Sequence, residues 1–170
     1  EMASFFGIQT WFHKKVTELS GGQKQLLNLA SVMVMQPSVL LLDEPTSQLD
    51  PIAAQEFLKT LEKINRELGT TVILTEHRLE DAFPISDRII VMGNGKIIFD
   101  GEPQKAEEIL RKSDNEMYDA LPAPMRIYGT LTNGSDCPIT VCDGRKWLEE
   151  YTKMHTPNTD KIPKASGEIK

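Results

Sequence analysis

Four consecutive apolar residues, Val39-Leu40-Leu41-Leu42, run without a break into Asp43-Glu44-Pro45. A half-exposed strand alternates apolar and polar residues. A run without alternation predicts a strand covered on both faces, as in a parallel α/β sheet. The following residues extend the pattern. Asp50-Pro51 supplies a helix N-cap and first turn, and Gly69 supplies a helix stop. Between them Ala54, Phe57, Leu58, Leu61, Ile64 and Leu68 repeat at helical spacing. Thr71-Val72-Ile73-Leu74-Thr75 reads as a second buried strand, so residues 39–75 predict a strand–helix–strand unit with a right-handed crossover. The expected fold class is α/β with a mainly parallel sheet.

Upstream, Leu26, Leu29, Ala30 and Met33 repeat at i, i+3, i+4 and i+7, with Leu27, Val32 and Val34 on other faces. This predicts a helix over 22–35, buried nearly all round, entered through Ser20-Gly21-Gly22 and stopped by Pro37. Downstream, residues 88–92 and 96–99 flank Gly93-Asn94-Gly95 and read as a hairpin. Residues 103–111 read as a short helix. After Ser113 the character changes, with an extended break at Leu121-Pro122-Ala123-Pro124 and a loop at 133–136. A short strand is expected at 138–142, and a helix at 144–154 with Trp147, Leu148 and Tyr151 on one face. The residues from His155 onward have the composition of a linker or tail.

Composition narrows the function. Nineteen Lys plus Arg stand against 25 Asp plus Glu, a net charge of −6. A domain that grips nucleic acid through its phosphates shows a basic face, so no nucleic-acid partner is expected. The 170 residues suffice for one independent core. No apolar run reaches the ~18 residues of a membrane span. Cys137 and Cys142 are the only cysteines and lack zinc-ligand spacing. Together these features predict a soluble intracellular chain without a structural metal. The opening Glu1-Met2, followed at once by helix-like apolar sequence, predicts a segment of a longer polypeptide.

Three short strings carry chemistry. In Leu19-Ser20-Gly21-Gly22-Gln23-Lys24-Gln25, adjacent glycines at a helix start let backbone N–H groups approach an anion closely. The helix dipole adds partial positive charge there, and Ser20 has a hydroxyl to donate. The plainer alternative is an ordinary capped helix. In the second string, Asp43 and Glu44 sit at the carboxyl end of a buried strand, where open α/β sheets bind ligands. Asp43 suits Mg²⁺, and Glu44 suits the orientation or deprotonation of an attacking water. The alternative is a polar strand end before Pro45. In the third, Thr75-Glu76-His77, the histidine suits a hydrogen bond to a terminal phosphate. A lone exposed histidine is the alternative, but one crossover helix separates the two strands, so their ends are expected to be neighbours.

These residues resemble the ABC ATPase family. Leu19 to Gln23 match its signature motif, Leu40 to Glu44 its Walker B strand, Ser47 to Asp50 its D-loop, and His77 its switch histidine. The resemblance covers roughly residues 3–112. It implies part of a P-loop NTPase fold at 1–112, a connector at 113–154 and a linker or disordered tail at 155–170. It also implies ATP and Mg²⁺ as cofactors. Ser20, Gly21, Gly22 and Gln23 would contact the nucleotide bound to an opposite domain, and Asp43 would serve Mg²⁺. Glu44 would activate water, His77 would steady the phosphate, and Asp50 would communicate across the dimer besides capping its helix.

The Thr46 to Pro51 and Thr75 to Glu80 runs look like the energy-coupling-factor branch, which powers vitamin or transition-metal importers. Residues 137–141 and 144–148 resemble the connector after the first half of a double-ATPase polypeptide. The implied partners are a second ABC ATPase domain, on the same polypeptide or a homologous chain, and membrane transport subunits. The implied location is cytoplasmic, peripheral to the cell membrane. No Gly-x-x-x-x-Gly-Lys-Ser/Thr string occurs, so the chain is expected to lack the Walker A half and to be inactive alone. An apolar sheet edge left uncovered predicts self-association. A soluble ABC ATPase of translation or repair, and a non-catalytic interaction module, stand as alternatives.

Overall fold

The computed structural model describes residues 2–113, 116–131 and 137–155. The chain forms two compact units, Glu1–Pro103 and Gln104–Lys170. The first opens with helix α1 (Met2–Phe5) and single 3-10 turns at Gln9–Trp11 and Val16–Glu18. Helix α2 (Gly21–Met33) follows. Strand β1 (Val39–Asp43), helix α3 (Pro51–Leu68) and strand β2 (Thr71–Thr75) form the expected strand–helix–strand unit. Helix α4 (Leu79–Ala82) leads to the hairpin of β3 (Ile89–Gly93) and β4 (Lys96–Gly101).

The boundaries of α3 have identifiable causes. Asp50 Oδ1 accepts 3.0 Å bonds from the Ile52 and Ala53 N–H groups, satisfying two donors that the helix cannot. Pro51 needs no such partner at the first position. Gly69 ends the helix at φ +69°, the left-handed conformation that glycine adopts most cheaply. The hairpin turn is built likewise. Asn94 and Gly95 both have positive φ, as a two-residue turn matched to strand twist requires.

β1 and β2 pair in parallel, from Val39 opposite Thr71 to Asp43 opposite Thr75. Leu40 is buried, and Leu42, Val72 and Leu74 pack with it against a core built from Phe57, Leu58, Leu61 and Ile64 of α3. The opposite face presents Val39, Leu41 and Ile73, with Leu41 72% exposed. Cover on both faces is therefore not observed: α3 takes one side, and the other is open among the described residues. The α2 expectation needs the same correction. Leu29, Ala30 and Met33 are buried, while Val32, Val34 and Met35 are exposed, so the helix buries one stripe. β3 and β4 form a separate antiparallel pair, so among the described residues parallel pairing is confined to β1 and β2.

The second unit holds α5 (Pro103–Lys112), α6 (Ala123–Leu131) and α7 (Val141–Met154). Ala106 and Leu110 of α5 are buried, as are Leu121, Met125 and Tyr128. Glu107 is also buried and accepts a 2.9 Å bond from Arg111 Nε. A side chain at Gly129 would collide with its carboxylate, so glycine is what lets α6 approach α5. The second compact unit begins at Gln104, in the first turn of α5. The strand expected at 138–142 is absent. Thr140 Oγ accepts from the Asp143 N–H at 3.1 Å and starts α7 at Val141. The loop at 133–136 and the tail at 156–170 lie outside the described residues.

Candidate functional site

The parallel register sets the ends of β1 and β2 side by side. Two neighbouring strand ends are where an open α/β sheet gathers loop residues for a ligand. Thr75 Oγ donates a 2.6 Å bond to Asp43 Oδ1 and accepts 3.1 Å from the Glu44 N–H, which also reaches the Thr75 carbonyl at 3.2 Å. One hydroxyl thus holds both consecutive acidic residues.

Glu44 adopts φ +43°, a region that side-chain-bearing residues rarely occupy. Strained backbone of this kind collects at functional sites, where surrounding bonds impose it. Its carboxylate meets the ring of His77, Nε2 to Oε1 at 2.8 Å. Both side chains face solvent, at 47% and 82% exposure, so reactants have direct access to the pair. The two residues singled out from different strings are in contact, as the order of elements predicted.

Asp43 Oδ1 is occupied by Thr75, and Oδ2 has no protein partner among the described residues. No group of three potential metal-binding side chains assembles among them. Mg²⁺ needs no such cage, because it is commonly held by one or two carboxylates together with substrate phosphates. An oriented carboxylate with a free oxygen fits that requirement.

The Ser20–Gln23 segment forms a capping box. Ser20 Oγ accepts from the Gln23 N–H at 3.2 Å, and Gln23 Oε1 accepts from the Ser20 N–H at 3.0 Å. The plain reading as a helix cap is therefore correct. It leaves the Ser20 hydroxyl proton available for donation. The two glycines differ. A Cβ on Gly21 would meet nothing within 4 Å, whereas one on Gly22 would lie 3.0 Å from Ala53 Cβ. Gly22 lets α2 approach α3, and Gly21 leaves open space at the helix start. The segment makes no hydrogen bond to Asp43, Glu44 or His77 among the described residues. Asp50 caps α3 through Oδ1 alone.

Four residues of the site, Thr46, Thr75, Glu76 and Gln25, escaped sequence reasoning. Thr75 orients the acidic pair. Glu76 Oε1 accepts from the Thr46 N–H at 3.1 Å and the Thr46 hydroxyl at 2.6 Å, and Thr46 is fully buried. Gln25 Nε2 donates 3.2 Å to the Pro45 carbonyl, tying α2 to the loop after β1. Each joins positions at least 20 apart in sequence, beyond the reach of local pattern. A surface cleft lined by Ile8, Trp11, Phe12, Lys14 and Leu19 contains no carboxylate and borders the Ser20–Gln23 segment through Leu19.

Several known proteins are similar to this chain. Residues 1–47 match the ABC transporter family model. A Bacillus cereus protein described as an ABC transporter ATP-binding protein is 42% identical over 169 residues, covering 99% of this chain and 30% of the relative. The spermidine/putrescine import ATP-binding protein PotA of Borreliella afzelii is 47% identical over 102 residues, 60% of this chain and 29% of that protein. The solved structure of cbiO1 from Clostridium perfringens, part of the ABC transporter complex cbiONQ, superposes with a TM-score of 0.59 at 36% identity. It covers 66% of this chain and 46% of cbiO1. The chain spans about 30% of the length of the curated relatives it matches over most of its own length. No described helix is long and apolar enough to cross a membrane. With Asp43 and Glu44 beside His77 at paired strand ends, this chain is part of an ABC transporter ATPase domain and has the fold of the ABC-type P-loop NTPases.

Proposed function

We propose that the chain belongs to an ATP-hydrolysing subunit that powers import across a membrane, of the energy-coupling-factor type serving vitamins or transition metals. The contact between Glu44 and His77, beside Asp43, carries this reading. Glu44 acts as general base toward water, and His77 holds the Glu44 carboxylate on one side and a phosphate oxygen on the other. Asp43 is the protein ligand for Mg²⁺, which when bound neutralises the charge of the transferring phosphoryl group. Ser20, Gly21, Gly22 and Gln23 receive the phosphate of a nucleotide seated on a second ATPase domain, and Asp50 lies at that contact. The capping box supports this role, because it keeps the serine rigid while leaving its proton free.

Likeness to PotA, an import ATP-binding protein, and to cbiO1, part of a transporter complex, supports an importer subunit that works with further transporter subunits at the cytoplasmic side of the membrane. The Bacillus cereus relative is more than three times as long as the stretch it shares, which leaves room for a second ATPase domain on one polypeptide. In this reading residues 113–154 form the connector between halves, and 155–170 continue it. The 170-residue chain alone does not hydrolyse ATP, since it has no phosphate-loop string to cradle the triphosphate.

Steady-state hydrolysis of MgATP by the full-length protein tests the proposal. Turnover is expected, and His77→Ala should lower kcat by about 10²-fold, the typical loss for one transition-state donor. Absence of turnover in the full-length protein, or unchanged kinetics in His77→Ala, would overturn it.

A further inference from the structure

We propose that Glu76 is a positioning residue that locks the loop carrying Glu44 to the loop carrying His77 through one carboxylate. The inference rests on the reading of Glu44 and His77 as the catalytic pair and adds to it the device that sets their geometry.

Thr75 ends the strand, and Glu76, the first residue beyond it, reaches the 45–49 loop. There Glu76 Oε1 accepts both the N–H and the hydroxyl of Thr46, at 3.1 and 2.6 Å. Oε2 accepts the N–H of His77 at 3.2 Å and that of Arg78 at 3.5 Å. Four donors, two from each loop, converge on two oxygens. Arg78 adds a second tie, with Nη2 donating 3.0 Å to the Leu49 carbonyl. Thr46 lies two residues after Glu44, and His77 directly follows Glu76.

The clamp matters because packing does not hold the pair. The His77 side chain is 82% exposed and that of Glu44 is 47% exposed, so neither is held by burial. Their separation is set by the backbone on either side, including the left-handed Glu44. Thr46, by contrast, is buried, and loss of its acceptor would leave two donors without partners and displace the loop. An error of about 1 Å in such a constellation typically costs about 10²-fold in rate.

Three variants at two positions in the full-length protein separate positioning from mere support. Glu76→Gln keeps the shape but offers one acceptor oxygen and places an NH₂ against donors. Thr46→Val removes the hydroxyl and keeps the volume, while Thr46→Ser restores the hydroxyl. Glu76→Gln and Thr46→Val should each lower kcat for MgATP by about 10- to 100-fold, with KM within about twofold of wild type. Thr46→Ser should return to within about threefold of wild-type kcat. Wild-type kcat in both Glu76→Gln and Thr46→Val, alongside an inactive Glu44→Gln control, would overturn the positioning role and leave the catalytic pair standing. A raised KM at unchanged kcat, or equal losses in Thr46→Ser and Thr46→Val, would also overturn it. An active Glu44→Gln control would overturn the catalytic reading and this inference with it.

Discussion

Thr75 and Asp43 stand opposite each other in the parallel register, and the threonine hydroxyl donates 2.6 Å to the aspartate. That bond commits one carboxylate oxygen and aims the other. Thr75→Val keeps the β-branched shape and removes the donor. In the full-length protein it should raise the Mg²⁺ concentration needed for half-maximal hydrolysis by about 10-fold, as loss of a metal ligand's supporting partner commonly does. An unchanged Mg²⁺ titration would show that Asp43 needs no such orientation.

The two glycines at the start of α2 make separable predictions. Gly21→Ala meets no protein atom, so the melting temperature of the isolated chain should hold or rise slightly. In the full-length protein the same change should lower ATP turnover, because the new methyl fills the space that a phosphate needs. Wild-type turnover in Gly21→Ala would remove that position from the nucleotide contact.

Burial, with a smaller contribution from the charge of Glu107, pushes the Cys137 thiol up to about 12. Cys142 is exposed. At pH 8 a thiol-specific reagent should modify one cysteine rapidly and the other only after denaturation, and Cys142→Ser should abolish the fast phase. The folded state holds the Cys137 proton more tightly than the unfolded chain does. Its contribution to stability is therefore complete below the ordinary thiol value of 9.0 and is lost as pH rises from there toward about 12. Two equally fast thiols would contradict the buried placement.

The uncovered face of β1 and β2, with Leu41 and Ile73 at its centre, predicts that the isolated 170-residue chain self-associates. Light scattering coupled to size exclusion at micromolar concentration should report more than the monomer mass. The double substitution Leu41→Lys and Ile73→Lys should return it to monomer. A monomeric wild-type chain would show that the face does not drive association.

What the sequence revealed followed the range of each signal. Asp50, Gly69 and Asn94-Gly95 were legible because a cap or a tight turn is decided by residues within a few positions. Glu44 and His77 were legible because each ends an apolar run and one crossover separates them. Thr75, Glu76 and Thr46 were not, because their bonds span about 30 positions and depend on the strand register. The apolar run at 39–42 was read as doubly covered, yet a strand's hydrophobicity reports a capacity to be buried rather than the presence of a covering element. At 138–142 the β-branched Ile139, Thr140 and Val141 favoured a strand, but the Thr140 cap on Asp143 started a helix there.

The central claim, that Glu44 is the base of an ATPase whose partner is His77, is tested most directly by single-turnover cleavage of radiolabelled MgATP in the full-length Glu44→Gln protein, with bound nucleotide measured in the same samples. The amide keeps the contact distance of the carboxylate but cannot take a proton from water. Bound ATP should persist while cleavage slows by about 10²–10⁴-fold relative to wild type. Cleavage at the wild-type rate would contradict the assignment.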